Sequence, residues 1–170
     1  MLNRNCGFNI IIVCFVASVL YSSCLGMGAL ASATPESNNP MYEKRNLGPS
    51  INTVYDEILP VISPDGKTLY YCRRWHPENM GEEKKEDICY SKLNPDGSWG
   101  KSENIGPPLN NEYGNAVCTV TPDGNTLLLA GDYPDRGELK HGLFLSNRTK
   151  TGWSQPTIIS IKNFYYNNRY

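Results

Sequence analysis

Asn46–Tyr70 reads NLGPSINTVYDEILPVISPDGKTLY, and Asn104–Leu128 reads NIGPPLNNEYGNAVCTVTPDGNTLL. The two stretches align without a gap at an offset of 58, with ten of 25 positions identical. The identities fall in two blocks. Asn46/Asn104, Gly48/Gly106, Pro49/Pro107, Asn52/Asn110 and Tyr55/Tyr113 form a leader; Pro64/Pro122, Asp65/Asp123, Gly66/Gly124, Thr68/Thr126 and Leu69/Leu127 form a turn and the start of a strand. Downstream, Asp87-Ile-Cys-Tyr90 corresponds to Gly142-Leu-Phe-Leu145, and Gly97-Ser-Trp99 to Gly152-Trp153, after a short deletion. The chain is thus an internal repeat of about 55 residues per unit, a period typical of propeller blades.

Each unit predicts four short strands. In the first they are Ile58–Ile62, Thr68–Arg74, Asp87–Leu93 and Trp99 onward; in the second, Ala116–Val120, Thr126–Ala130, Gly142–Asn147 and Trp153–Ser160. The connection Ser63-Pro64-Asp65-Gly66 has turn chemistry at every position. Pro presets φ, Asp bonds its own backbone, and Gly accepts the left-handed conformation. Asn94-Pro95-Asp96-Gly97 and Thr121-Pro122-Asp123-Gly124 use the same device. The unbroken apolar run Leu127–Ala130 predicts a strand covered on both faces. Trp99 and Trp153 occupy equivalent places and read as core. The fold class expected is therefore all-β: an incomplete β-propeller of about two four-stranded antiparallel blades, blade 1 over 46–103 and blade 2 over 104–160.

The pattern Ser63–Tyr70 (SPDGKTLY), followed by DICY and GSW, resembles the WD-repeat-like, TolB-like propeller module of bacterial envelope proteins, also present in OmpA-family proteins. The resemblance spans roughly Asn46 to Gln155. It implies a propeller and an envelope location, and it does not imply an enzyme.

The N-terminal segment has a different composition. Arg4 precedes an almost wholly apolar run, Phe8–Leu20, and small residues end in Ala31-Ser32-Ala33. This is the order of a secretory signal peptide, so residues 1–33 are expected to be removed and residues 34–45 to form a flexible mature N-terminus. Two other readings stay open: a lipoprotein bearing its lipid on Cys24, and an uncleaved anchor, since Phe8–Ala33 is long enough to span. At the other end, Asn163 and Tyr166 restart the leader, so residues 161–170 read as the opening of a third, truncated repeat. Propellers close with roughly four to eight blades. The expectation is a truncated member of a larger propeller, or copies that associate through open blade faces.

Of six cysteines, Cys72, Cys89 and Cys118 lie beyond the export segment. Both a Cys72–Cys89 bridge and free thiols fit an exported chain. A charge balance of -1 gives no reason to expect nucleic acid. No metal-ligand spacing, cofactor motif or catalytic constellation is present in the sequence. Asp65-Gly66 and Asp123-Gly124 are adjacent, whereas the sialidase-type Asp box separates Asp from Gly, so these aspartates read as turn chemistry. Candidate partner-binding residues lie in the loops between the second and third strands: Trp75, His76, Glu82 and Lys84 in the first unit, Asp132 and Asp135 in the second. The expected function is a non-enzymatic, exported module of the periplasm or cell envelope that binds a protein or a cell-wall component. The alternatives are the propeller part of a secreted hydrolase lacking its catalytic part, and a truncated product without function.

Overall fold

The computed structural model describes residues 11–13 and 44–162. The expected export segment, the 34–45 stretch and the third leader therefore lie largely outside the described residues. The described chain is all-β, with no helix. A short ladder comes first: β1 (Ile11–Val13) pairs antiparallel with β2 (Lys44–Asn46). The first large sheet is an antiparallel meander of β3 (Asp56–Ile62), β4 (Thr68–Arg74), β5 (Asp87–Lys92) and β6 (Glu103–Asn104). The second contains β7 (Asn115–Val120), β8 (Thr126–Asp135) and β9 (Glu138–Thr149), with β10 (Gly152–Trp153) and β11 (Thr157–Ile158) both on the free side of β9. The two antiparallel sheets, of four and five strands, do not close on themselves.

The repeat extends to individual hydrogen bonds. In each leader an Asn side chain receives the Gly amide: Gly48 N to Asn46 Oδ1 at 2.8 Å, Gly106 N to Asn104 Oδ1 at 2.9 Å. The Gly carbonyl then accepts two amides, from Ile51 and Asn52 in one leader and Leu109 and Asn110 in the other. Both first strands carry a bulge at the same place, between Ile58 and Val61 in β3 and between Val117 and Thr119 in β7. One extra residue there bends the strand and sharpens its twist.

The turns follow the expected chemistry. Gly66 and Gly124 have φ of 71° and 73°, and each donates its amide to the residue that opens the turn. Asp65 Oδ1 accepts from Ser63 Oγ and Lys67 N; Asp123 Oδ1 accepts from Thr121 Oγ1 and Asn125 N; Asp96 Oδ1 accepts from Ser98 N and Oγ. Side-chain hydrogen bonds, with backbone amides second, hold all three carboxyls below the ordinary Asp value of 3.8. A depressed folded-state value means stability that is fully present above the unfolded value and lost as pH falls through the folded one. Urea midpoints measured between about pH 5 and pH 2 should therefore fall for the native chain, and fall less steeply for Asp123→Asn. Equal slopes would show that the turn carboxylate adds nothing.

The two sheets pack back to front. Side chains alternate across each strand, so Leu69, Tyr71 and Arg73 of β4 share one face, here the front, and Tyr70, Cys72 and Arg74 share the back. The back of the first sheet meets the front of the second in one core: Tyr70 and Ile88 from the first, and Leu109, Val117, Leu127, Leu129, Tyr133 and Phe144 from the second. A separate cluster lies on the front of the first sheet, where Ile51, Leu69, Tyr71 and Cys89 are buried with Leu47 and Trp99 against them. Trp99 and Trp153 are both half-buried, at the margins of different clusters, and the Arg148 guanidinium lies 4.3 Å above the Trp153 ring.

Three sequence expectations change. Strands two and three of the second unit are longer than Thr126–Ala130 and Gly142–Asn147. β8 and β9 run on as one hairpin to Asp135 and Glu138, closed by Arg136 and Gly137 at φ 51° and 84°. The expected fourth strands shrink to short pieces: Leu93 and Trp99 form only a bridge, and β10 and β11 replace Trp153–Ser160. The run Leu127–Ala130 is covered on one face: Leu127 and Leu129 are buried, Leu128 and Ala130 half-buried, because no further sheet lies behind β8 among the described residues. Of the two readings of the cysteine pair, the structure has free thiols at Cys72 and Cys89. Tyr71 is the partner of Cys89 across the ladder and Ile88 that of Cys72, so the two sulfurs point to opposite faces. Burial pushes both thiols up, Cys89 to about 11.

Candidate functional site

The strand-two-to-three connections and the leaders gather at one end of the paired sheets. The connection between β4 and β5, residues 75–86, is long but tightly tied. Trp75 N donates to Lys84 O at 2.8 Å, and both residues have left-handed φ, 58° and 49°. Such a conformation in a large side chain is costly and persists only where surrounding bonds impose it. The bonds are present. Buried Asn79 donates from Nδ2 to the carbonyls of Arg73 and Lys85, and Lys84 Nζ donates to Asn79 O at 2.6 Å. Met80 N donates to Asp87 Oδ2 at 2.9 Å, and Asn104 Nδ2 donates to the same oxygen. Burial holds the Asp87 carboxyl above its ordinary value, partly offset by these two donors. Gly81, at φ 71°, rests against the second leader, where a Cβ would stand 2.6 Å from Glu112 O.

The result is a fixed platform that presents Trp75. The residue is 58% exposed, with the Arg74 guanidinium 5.2 Å from the ring centroid. Arg74 is itself held by Glu86, with Nε to Oε1 at 2.7 Å. An exposed, preorganised Trp beside an Arg has the composition of a binding hot spot. His76 turns inward instead. It packs edge-on against Tyr55 at 4.7 Å, and Nδ1 accepts the Glu78 amide at 3.1 Å. Burial, then the charge of Arg73, lower its pKa. Glu82 is exposed at the loop tip, and Lys84 is committed to the Asn79 carbonyl.

In the second unit, Asp132 and Asp135 lie in the β8–β9 hairpin rather than in a loop. Asp132 Oδ1 lies 2.7 Å from His141 Nδ1, its partner across the ladder, and its carbonyl accepts from Asn111 Nδ2. Asp135 faces Glu138 beside the hairpin turn. Structure thus joins Asp132 to His141 and to the second leader, whereas Trp75 belongs to the other unit. The leader residues Tyr55, Asn111 and Tyr113 share this end of the molecule. The repeated Tyr55/Tyr113 position was the signal that could have marked them, because Tyr55 N and Tyr113 N bond the side chains of Thr53 and Asn111 in the same way.

The opposite end carries a cleft of about 250 Å³ between the Pro-Asp-Gly turns of the two sheets. Ser63, Asp65, Tyr70, Asp123 and Arg148 line it. Asp65 Oδ1 and both Asp123 oxygens are engaged by their own turns, so these groups serve structure first. Among the described residues no group of three or more His, Cys, Asp or Glu side chains is arranged to hold a metal ion, and no helix is long and apolar enough to cross a membrane. Compared with family models, curated proteins and solved structures, the chain matches none of them.

Proposed function

We propose that this chain is a non-enzymatic repeat module of β-propeller type in an exported, cell-envelope protein, and that it binds a protein or cell-wall component through its loop end. The repeated antiparallel meander, the leader that links one sheet to the next, and the back-to-front packing support the blade reading. The Phe8–Leu20 run and Ala31-Ser32-Ala33 support export. The observation that carries the binding reading is Trp75: an exposed indole in a left-handed conformation that Arg74, Asn79 and Lys84 hold in place. A surface fixed before binding loses little entropy when it meets its partner.

The test is retention of an envelope component on immobilised protein carrying residues 34–170. Saturable retention is expected, and Trp75→Ala should weaken it by about 30-fold, the scale of a Trp hot spot. Unchanged retention by a Trp75→Ala variant with native circular dichroism would overturn the role of the loop end.

A further inference from the structure

The cleft of about 250 Å³ is lined by both units: Asp65, Thr68 and Tyr70 from the first, Asp123, Asn125 and Arg148 from the second. Two of these residues break the repeat. Tyr70 stands where the second unit has Leu128, and Arg148 where the first has Leu93. The ladder confirms the second equivalence, because Arg148 faces Trp153 as Leu93 faces Trp99. A place that is apolar in the first unit therefore carries a guanidinium in the second, beside the cleft between the sheets.

That guanidinium is oriented and left available. It lies 4.3 Å above the Trp153 ring, and Arg148 N is anchored to Asn125 O at 2.8 Å. Stacking on an aromatic face engages the charge and leaves the in-plane N–H donors free. Among the described residues no carboxylate forms an ion pair with Arg148. Its neighbour in the cleft is Tyr70, a residue 4% exposed, whose phenol lies within reach of the charges of both Arg148 and Asp65.

The cleft also carries negative charge. Asp65 Oδ1 accepts from Ser63 Oγ and Lys67 N, while Oδ2 receives no hydrogen bond among the described residues. The Ser63 bond, with the Lys67 amide second, holds this carboxyl below its ordinary value, so it is ionised at neutral pH. A cation and an anion thus line one cleft without neutralising each other. A plain anion would meet the Asp65 and Asp123 charges, and a plain amine would meet Arg148. A molecule with both charges satisfies both groups. Size narrows the class further: at ~30 Å³ per water the cleft has room for about eight waters. That is below the ~300–1,000 Å³ of pockets for drug-sized ligands.

We propose that the cleft is a binding site for a small zwitterion of the α-amino-acid class, its carboxylate taking the in-plane donors of Arg148 and its ammonium held by Asp65 Oδ2. Guanidinium and carboxylate match as paired forks, and charge on both partners strengthens each bond. The site lies at the end opposite Trp75, so it goes beyond the loop-end reading and does not rest on it.

The test is an NMR titration of the full chain with L-alanine, read at the Trp153 indole N–H and the Asn125 amide. Acetate and ethylammonium, which supply the two charges separately, are titrated in parallel. Saturable shifts at both signals are expected for L-alanine, with a Kd of about 1 mM or tighter. Acetate and ethylammonium should each bind about tenfold more weakly or worse, since each forgoes one charge-assisted contact. Arg148→Leu places the first unit's residue at this position, and Asp65→Asn keeps the Oδ1 acceptor that the turn uses; each should weaken L-alanine binding about tenfold or more. Absence of a saturable shift with L-alanine overturns the proposal. So does acetate or ethylammonium binding as tightly as L-alanine, or a natively folded Arg148→Leu or Asp65→Asn that binds it like the parent.

Discussion

Phe144→Ala is expected to lower the unfolding free energy by about 3–5 kcal/mol, the range for deleting a buried aromatic ring. Phe144 is fully buried on β9 and meets Tyr133 edge-on at 4.9 Å, with ring planes 65° apart. That geometry aims the positive edge of one ring at the negative face of the other and adds to the burial term. The ring belongs to the one core that joins the sheets, so the cavity would open at their junction. Tyr133 is fixed from its other end, because its hydroxyl donates to Leu109 O at 2.7 Å, and it cannot collapse far into the space. Equilibrium urea unfolding measures the loss; a change under about 1 kcal/mol would mean that the two sheets do not share this core.

Asn110→Ala is expected to cost about 3 kcal/mol, although it removes only a small amide. Asn110 belongs to the second leader, yet it bonds the first sheet. Its Oδ1 accepts from Ile88 N at 2.8 Å, and its Nδ2 donates to Ile88 O at 2.9 Å and to Asn104 Oδ1 at 2.8 Å. The side chain thus acts as one more peptide unit at the edge of β5. After substitution Ile88 O keeps the Ile105 amide, but Ile88 N is left buried without its acceptor. Leaving such a group unsatisfied costs more than a hydrogen bond normally contributes. Hydrogen exchange at the Ile88 amide should speed up well beyond the change at Leu129, deep in the second sheet. Equal acceleration at both amides would point to general loosening and away from a specific clamp.

These two residues show different degrees of legibility in sequence. Asn110 stood out as one of the repeated leader positions, but its partner did not. The leader follows β6 and turns back across β5, and no local pattern in the sequence encodes that return. Phe144 sits in a short apolar run whose face could be assigned only after the ladder register was known. Trp75 and His76 are adjacent in sequence and were read alike; one is presented to solvent and the other is folded under Tyr55, because the left-handed turn at Trp75 sends them in different directions.

The sequence by itself determined the repeat, the all-β class and the Pro-Asp-Gly turns. All three depend on interactions within a few residues: φ preferences, side-chain-to-backbone bonds in the turn, and the two-residue alternation of strands. Tertiary structure alone decided that β8 and β9 continue into one long hairpin, that Cys72 and Cys89 face opposite ways, and that no further sheet among the described residues covers the back of the second sheet. Each of those is a question of what stands on the far side of a strand. Ladder register and sheet stacking answer it, through contacts between residues far apart in the chain.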